Sequence, residues 1–189
     1  MLESLRNKKI LVVVAHPDDE LLGLGGTINK LVSEYNCICR ALILGEGLTS
    51  RSESRNPGLW QKELKNHKKN ILDASKFIGY ESVITHDFPD NRFDSVDLLD
   101  IIKTIEKVKN NFKPDVIFTH HGGDLNIDHK RTFDAVLTSC RPMKDEETKI
   151  IITFETPSGT EWLASSDPNQ FIPNMYVEIS KKNLLSKIN

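Results

Sequence analysis

The feature that most constrains the fold is a regular alternation of short β-branched runs with longer segments of helical spacing. Predicted strands lie at residues 10–15, 38–44, 82–85, 114–119, 150–154 and 175–179. Predicted helices lie at residues 27–35, 59–77, 98–108 and 132–140, the first with Thr27 as its N-cap. Strands that alternate with helices form βαβ units, whose parallel strands are buried on both faces. The sequence therefore predicts an α/β fold of three layers, with a Rossmann-like, mainly parallel sheet and helices on both faces.

Length and composition fit an ordinary globular domain. A chain of 189 residues can bury a sizeable core, and 38% hydrophobic with 28% charged residues shows no disordered or fibrous bias. We expect one domain over residues 1–189. The net charge of −2, from 25 basic and 27 acidic residues, gives no electrostatic reason to expect a nucleic-acid or membrane partner.

Targeting signals and cysteines indicate a cytoplasmic protein. The apolar run at residues 10–15 is too short for a membrane span and has no signal-peptide cleavage pattern. Three cysteines are an odd and sparse set, which favours reduced thiols. Cys37 and Cys39 alternate with Ile38 in a predicted strand, and we expect them to be small buried residues rather than half of a metal site.

Polar side chains collect directly after two of the predicted strands. The first cluster consists of His16, Pro17, Asp18, Asp19 and Glu20. The second consists of His120, His121, Asp124, Asn126, Asp128 and His129. In open parallel sheets ligands bind outside the carboxyl ends of the strands, so both clusters fall at the edge where a site is expected.

The first cluster favours a bound cation. Three carboxylates within five residues repel one another, and a divalent metal removes that conflict. Catalytic zinc sites use three imidazole or carboxylate ligands and leave one position for water. His16 and Asp19 can face one ion, with His129 as the third ligand. A lone Asp-rich turn is usually a helix cap, but two such clusters at strand ends favour the metal site.

The two clusters together resemble the PIG-L/LmbE-like family of N-acetylglucosamine deacetylases. The motif Ala-His-Pro-Asp-Asp-Glu stands at residues 15–20, and the later Asp-His pair is Asp128-His129. The similarity continues through the segments 25–27, 88–92 and 154–158 and runs from about residue 9 to about residue 180.

The resemblance implies an activity and a set of roles. His16, Asp19 and His129 correspond to ligands of Zn²⁺, with Fe²⁺ or another divalent metal possible on ligand type. Asp18 corresponds to the general base. The expected reaction is hydrolysis of the N-acetyl group of a small-molecule amino sugar or its conjugate by water that the metal and Asp18 activate.

Position 126 departs from the family pattern. Many members have a histidine there, whereas Asn126 can donate a hydrogen bond but supplies no proton at neutral pH. Protonated Asp18 is then the expected acid, with His121 and Asp124 as alternatives near the substrate. Asp128 is expected to orient an imidazole.

Outside the two clusters, three further residues are candidates for substrate contacts. Arg51 and Arg92 are expected to bind substrate hydroxyls or a phosphate, although solvated loop charge is as common an explanation for such arginines. Trp162 could stack on a sugar ring, but the high average burial of Trp favours a place in the core.

Other functions fit the residues less well. The glycines at 23, 25 and 26 lack the dinucleotide-binding spacing and follow carboxylates that would repel a pyrophosphate. Two histidines and a carboxylate also describe non-haem iron oxygenases, but nothing indicates a co-substrate site. An amidase of a larger conjugate and a non-catalytic sugar- or metal-binding relative stay open. Residues 180–189 resemble the start of an amphipathic helix, where relatives continue, so a shortened or oligomer-completed pocket is also an expectation.

Overall fold

The computed structural model describes residues 2–157 and 159–188, so Ser158 of the last family segment lies outside the described residues. One five-stranded sheet has the order β3-β2-β1-β4-β5, and every pair is parallel. The strands are β1 Lys9–Val14, β2 Ile38–Gly45, β3 Ser82–Phe88, β4 Val116–His120 and β5 Ile150–Phe154. The predicted α/β fold is confirmed.

Helices cover both faces of this sheet. They are α1 Asp19–Tyr35, α2 Gln61–Ile78, α3 Leu98–Phe112, α4 Ile127–Ser139 and α5 Lys181–Ile188. Helices α1 and α2 bury Ile28 and Ile71 in one apolar core, and α3 and α4 bury Ile105 and Val136 in a second core. Helix α5 lies against α1. The sheet is therefore the middle of three layers.

The position of β1 in the middle of the sheet explains its apolar run from Ile10 to Val14. Ile10 and Val12 contribute to the core beneath α1 and α2, and Leu11 and Val13 contribute to the core beneath α3 and α4. All four side chains have no exposed surface. Because neighbouring side chains of a strand point to opposite faces, a central strand between two helical layers needs an unbroken apolar run.

The strand order reverses at β1, and this positions the site. The chain builds β2 and β3 on one side of β1 and then β4 and β5 on the other. In such folds the ligand crevice lies at the carboxyl ends of the two strands where the order reverses, here β1 and β4. His16 follows β1 and His120 ends β4, so the two polar clusters meet there.

Two helices begin earlier than predicted. Helix α1 begins at Asp19, so Thr27 lies inside it and the N-cap prediction is wrong. The prediction took the glycines before Thr27 as the end of a loop. A Cβ at Gly26 would lie 2.7 Å from Ile179 Cδ1, so this helical position needs a glycine because the C-terminal segment packs against it. Helix α4 begins at Ile127 rather than at residue 132, because the Asn126 side chain accepts a hydrogen bond from the Asp128 N–H at 2.8 Å.

Three further expectations concern the C-terminal third and the cysteines. Residues 175–179 do not form the predicted strand, because they lie on α1, where the Lys30 ammonium donates to the carbonyl of Glu178 at 2.7 Å. Trp162 is 62% exposed, so its predicted place in the core is wrong. Cys37 and Cys39 are buried free thiols, as expected. Among the described residues, every helix falls short of the length and apolar character that crossing a bilayer requires.

Replacing Ile105 by alanine tests how much the second core stabilises the fold. Ile105 is fully buried on α3, whereas Leu99 on the same helix is 61% exposed. We expect Ile105→Ala to lower the free energy of unfolding by about 2–5 kcal/mol because it leaves a cavity. Leu99→Ala should change it by no more than about 0.5 kcal/mol. Urea denaturation measures both, and equal effects would contradict the assigned core.

Candidate metal centre

The turn after β1 brings two of the candidate ligands together. Asp18 occupies the N-cap position of α1 with φ 118° and ψ −28°, a left-handed conformation that is strained for a residue with a Cβ. Its N–H donates to the Glu20 carboxylate at 3.1 Å. This sharp turn lets the Asp19 carboxylate fold back and accept the N–H of His16 at 2.9 Å. The imidazole of His16 and the carboxylate of Asp19 thus face the same point.

The loop between β4 and α4 supplies the third candidate ligand. Asp124 accepts the N–H of Asn126 at 2.8 Å, and Asn126 in turn accepts the N–H of Asp128 at 2.8 Å. These two contacts close the loop and cap the helix. His129 follows in the first turn of α4 and is only 4% exposed.

Three ligand atoms from these two loops converge in the crevice. His16 Nδ1 lies 3.3 Å from His129 Nε2 and 3.5 Å from Asp19 Oδ2, and His129 Nε2 lies 3.3 Å from Asp19 Oδ2. Ligands bonded to tetrahedral zinc at about 2.0–2.1 Å are about 3.3–3.4 Å apart. The triangle of His16, Asp19 and His129 therefore fits one tetrahedral ion.

Buried carboxylates hold both imidazoles in the orientation that such an ion needs. His16 Nε2 lies 2.9 Å from Asp128 Oδ2, and His129 Nδ1 lies 2.9 Å from Asp124 Oδ2. Each ring can donate its N–H outward to its carboxylate and direct the lone pair of its other nitrogen inward. Two inward lone pairs beside the Asp19 carboxylate repel one another without a cation. The donor set therefore fits a divalent metal.

Two neighbouring groups of His and Asp side chains fit an ion less well. One joins His120, Asp124 and His129, and the other joins His16, Asp90 and Asp128. Each contains a nitrogen-to-oxygen separation of 2.9 Å. That distance is a hydrogen bond and is shorter than the separation of two ligands on one tetrahedral ion. We therefore assign these groups to support of the metal ligands.

Electrostatics around the two imidazoles favour positive charge. Burial lowers the pKa of His16, but hydrogen bonds to Asp128 and Asp19 outweigh it and raise the pKa to about 10. Burial also lowers the pKa of His129, but hydrogen bonds to Asp124 and Asp19 outweigh it and raise the pKa to about 9. The surrounding carboxylates thus stabilise a cation at this point, whether a proton or a metal.

Asp18 is the exposed residue beside the buried triangle. Its side chain is exposed on one side and close enough to Asp19, His16 and His129 to feel their charge. Desolvation by the walls of the crevice and repulsion from Asp19 raise the pKa of Asp18 to about 6. A carboxyl with that pKa takes up and releases a proton more readily near neutral pH than an ordinary aspartate does.

Two supporting residues received no assigned role at the metal from sequence. His120 has no exposed surface, and its Nε2 accepts the N–H of Ala15 at 2.9 Å while its ring stacks on that of His129. Asp90 lies 3.4 Å from His16 Nε2 and accepts the Ser50 hydroxyl at 2.6 Å. Both belong to segments singled out by sequence, but only their packing shows what they contact.

The other predicted site residues surround the centre at different depths. Asp124 is fully buried with both oxygens hydrogen-bonded, which fits orientation of His129 rather than the predicted contact with substrate. Asn126 uses its oxygen to cap α4 and donates its amide N–H to Asn91 at 2.9 Å. His121 is half-buried, and its Nδ1 accepts the N–H of Gly123 at 3.1 Å.

The two predicted arginines lie in loops at the same edge of the sheet. Arg51 is exposed in the loop after β2. Arg92 is half-buried, and its guanidinium lies 3.5 Å from the carbonyl of Glu53. Their binding of substrate stays a prediction.

Comparison with known protein families assigns the chain that carries this centre to a family. Residues 11–140, more than half of the chain, match the family described as PIG-L, GlcNAc-PI de-N-acetylase. The chain belongs to this family. The matched range contains both clusters that form the candidate centre.

Individual relatives of the PIG-L type agree with this assignment. The chain is 26% identical over 188 residues to an uncharacterized deacetylase, YaiS, of Escherichia coli, covering 97% of this chain and 88% of that protein. It is 27% identical over 151 residues to a probable N-acetyl-alpha-D-glucosaminyl L-malate deacetylase 2 of Bacillus cereus, covering 76% and 66%. The structure of N,N'-diacetylchitobiose deacetylase from Pyrococcus horikoshii shares the fold, with a TM-score of 0.67, 19% identity and coverage of 95% and 68%.

Removing one candidate ligand tests the metal centre. His129→Ala deletes one corner of the triangle, so we expect bound zinc after gel filtration to fall at least about tenfold. His86→Ala, which removes an exposed imidazole on β3, should retain the metal content of the unaltered protein. Inductively coupled plasma mass spectrometry measures both variants. A full equivalent of zinc in His129→Ala would rule out this triangle.

Proposed function

We propose that this protein is a metal-dependent hydrolase that removes the N-acetyl group from an N-acetylglucosamine-type amino sugar or its conjugate. One observation supports the proposal: the ligand atoms of His16, Asp19 and His129 converge at the separations of a tetrahedral ion, with the exposed Asp18 carboxyl beside them. Membership in a family of de-N-acetylases gives the bond that such a centre would cleave.

The reaction divides between the metal and the side chains around it. When bound, a divalent cation supplies Lewis acidity and lowers the pKa of water at this position to about 7. Asp18 then accepts the proton of that water as its oxygen attacks the acetamide carbonyl carbon. Asp124 and Asp128 act through the imidazoles that they orient, since each carboxylate is fully buried and hydrogen-bonded.

The second proton transfer also falls to Asp18. Cleavage of the carbon–nitrogen bond leaves an amine that must gain a proton as acetate departs. Asn126 supplies none, and both ends of its amide are hydrogen-bonded to the chain. Asp18 holds the proton taken from water and is exposed beside the centre, so it returns that proton to the nitrogen.

Substrate class and metal identity are the finer parts of the proposal. The names of two relatives specify N-acetylglucosaminyl malate and N,N'-diacetylchitobiose, which share an N-acetylated hexosamine. We extend that shared group to this chain. Imidazole and carboxylate ligands suit zinc and iron alike, and zinc is the metal we propose. A cytoplasmic location and oligomer formation stay predictions of the sequence.

Acetate release tests the proposed activity. The metal-loaded protein should release acetate from at least one of N-acetylglucosamine, N,N'-diacetylchitobiose and a uridine diphosphate-linked N-acetylglucosamine. Dialysis against a chelator should abolish the release, and added Zn²⁺ or Fe²⁺ should restore it. Oxygen consumption without acetate would instead indicate an oxygenase. No acetate from any of the three substrates would contradict the proposal.

Replacing Asp18 separates proton transfer from metal binding. Asp18→Asn keeps the shape of the side chain but removes the base, so we expect kcat to fall at least about 100-fold with metal content unchanged. Asp134→Asn is the matched control, since Asp134 is exposed on α4, the helix that carries His129, and should keep full activity. Full activity in Asp18→Asn would remove this residue from the mechanism.

A further inference from the structure

Helices cover the two faces of the edge strand β3 unequally. Helix α2 packs on one face, whereas on the other face α3 lies over β1 and β2 and leaves Ile84 and His86 of β3 exposed. A groove of about 610 Å³ lies between α3 and this face, with Leu42, Ile84 and Phe88 as its floor. We call it the edge groove. Cavities that hold small ligands have volumes of about 300–1,000 Å³, so the edge groove has the size of a ligand site.

The floor of the edge groove is apolar and follows the surface of the sheet. Leu42 of β2 is paired with Ile84 of β3 in the parallel register. Ile84, His86 and Phe88 point to the same face because they alternate along one strand. The imidazole of His86 lies against the ring of Phe88, with 4.1 Å between the ring centroids, and Val108 of α3 forms part of the wall. A sheet face bounded by a helix therefore accepts a flat apolar body.

The edge groove carries positive charge, although the net charge of the chain is negative. The charged side chains that line it are Arg40, Lys103, Lys107 and Asp100. Three cations and one carboxylate give the lining a net charge of +2 with His86 neutral, whereas the whole chain has a net charge of −2. Positive charge concentrated beside an apolar floor attracts an anion to that place.

The three cations differ in what they contact. Arg40 Nε donates to the carboxylate of Glu81 at 2.5 Å, and Lys103 Nζ donates to that of Glu106 at 2.8 Å. Lys107 is exposed and has no ion-pair partner among the residues that the structure describes. Lys103 and Lys107 are one helical turn apart on α3, and like charges at that spacing repel each other. An anion in the groove beside them reduces that repulsion.

Charge also distinguishes such an anion from a second copy of the chain. Strand β3 is at the edge of the sheet, where another chain can add as a further strand. A copy added antiparallel to β3 continues the sheet and places the two edge grooves side by side on the same face. Their cationic linings then repel each other. The charge therefore favours an anion in the groove over a second copy.

We propose that the edge groove binds a small organic anion with a flat apolar body, such as an aryl carboxylate or aryl sulfonate. The apolar body lies on Ile84 and Phe88, and the anionic group reaches Lys107. Of the described residues that line the groove, none belongs to the two polar clusters after β1 and β4. The proposal therefore does not rest on the proposed reaction.

Two dyes with the same rings and different charge test this site. Anilinonaphthalene sulfonate carries a sulfonate, phenylnaphthylamine has the same ring system without it, and both become fluorescent in an apolar site. We expect the sulfonate dye to bind the native protein at a single site per chain, as measured by fluorescence titration. Zn²⁺ and N-acetylglucosamine, which we propose to bind at the metal centre, should leave that binding unchanged.

Reversing one charge of the lining tests the role of the anion. Lys107→Glu should raise the dissociation constant of the sulfonate dye at least about fivefold and change that of the neutral dye by no more than about twofold. Lys69→Glu is the matched control, because Lys69 is exposed on α2, at the opposite face of the sheet, and the variant has the same net charge. It should change neither constant by more than about twofold.

A substitution in the floor tests the role of the apolar body. Ile84→Thr keeps a β-branched side chain in the strand but replaces apolar surface by a hydroxyl group. Both dyes should bind about threefold more weakly.

Three results would overturn the proposal. One is an equal effect of Lys107→Glu and Lys69→Glu on the sulfonate dye. Another is displacement of that dye by Zn²⁺ or N-acetylglucosamine, which would place the dye at the metal centre. The third is sedimentation that shows a dimer which Ile84→Thr dissociates, because a second copy of the chain would then occupy the edge groove.

Discussion

The whole site depends on two imidazoles whose ring nitrogens, Nδ1 of His16 and Nε2 of His129, face each other across 3.3 Å. So close an approach requires a shared cation, a proton or a metal, and a buried carboxylate holds each ring from behind, Asp128 for His16 and Asp124 for His129. The sheet supplies the distance, since the reversal of strand order at β1 sets the two loops on opposite sides of one crevice. The strained turn at Asp18 supplies the third ligand by folding Asp19 back. The strained conformation of Asp18 therefore costs stability and maintains a geometry that binds a cation.

The fold could be predicted from sequence because its periodicities are strong. A central strand packed on both faces must be apolar throughout, and residues 10–14 show this directly. Helix boundaries were harder to predict. Gly25 and Gly26 resemble a helix start in sequence, but in the structure they lie inside α1, where side chains of the C-terminal segment approach them closely. The segment at 175–179 has a strand-like composition, yet both sheet edges lie elsewhere and it rests on α1. Tertiary packing decides where this helix begins and where this segment lies, and the local sequence pattern does not show that packing.

The site divides along the same line. His16, Asp19 and His129 could be proposed from residue type, strand context and family resemblance, and the structure brings their ligand atoms together. The roles of Asp90 and His120 depend on contacts with residues distant in sequence, such as Ser50 and Ala15. The exposure of Trp162 was predicted in the wrong direction, because the average burial of a residue type does not decide where one particular tryptophan lies.

One hydrogen-bond pattern links the centre to a distant loop. Besides contacting His16, the Asp128 carboxylate accepts the N–H of Phe93 at 2.9 Å with its other oxygen. Backbone displacement between β3 and α3 must therefore either break a fully buried hydrogen bond or rotate the imidazole. The position of the loop at Phe93 and the orientation of the His16 ring are therefore coupled. A molecule that displaced Arg92, the neighbour of Phe93, would therefore act on the orientation of the His16 ring through this one carboxylate.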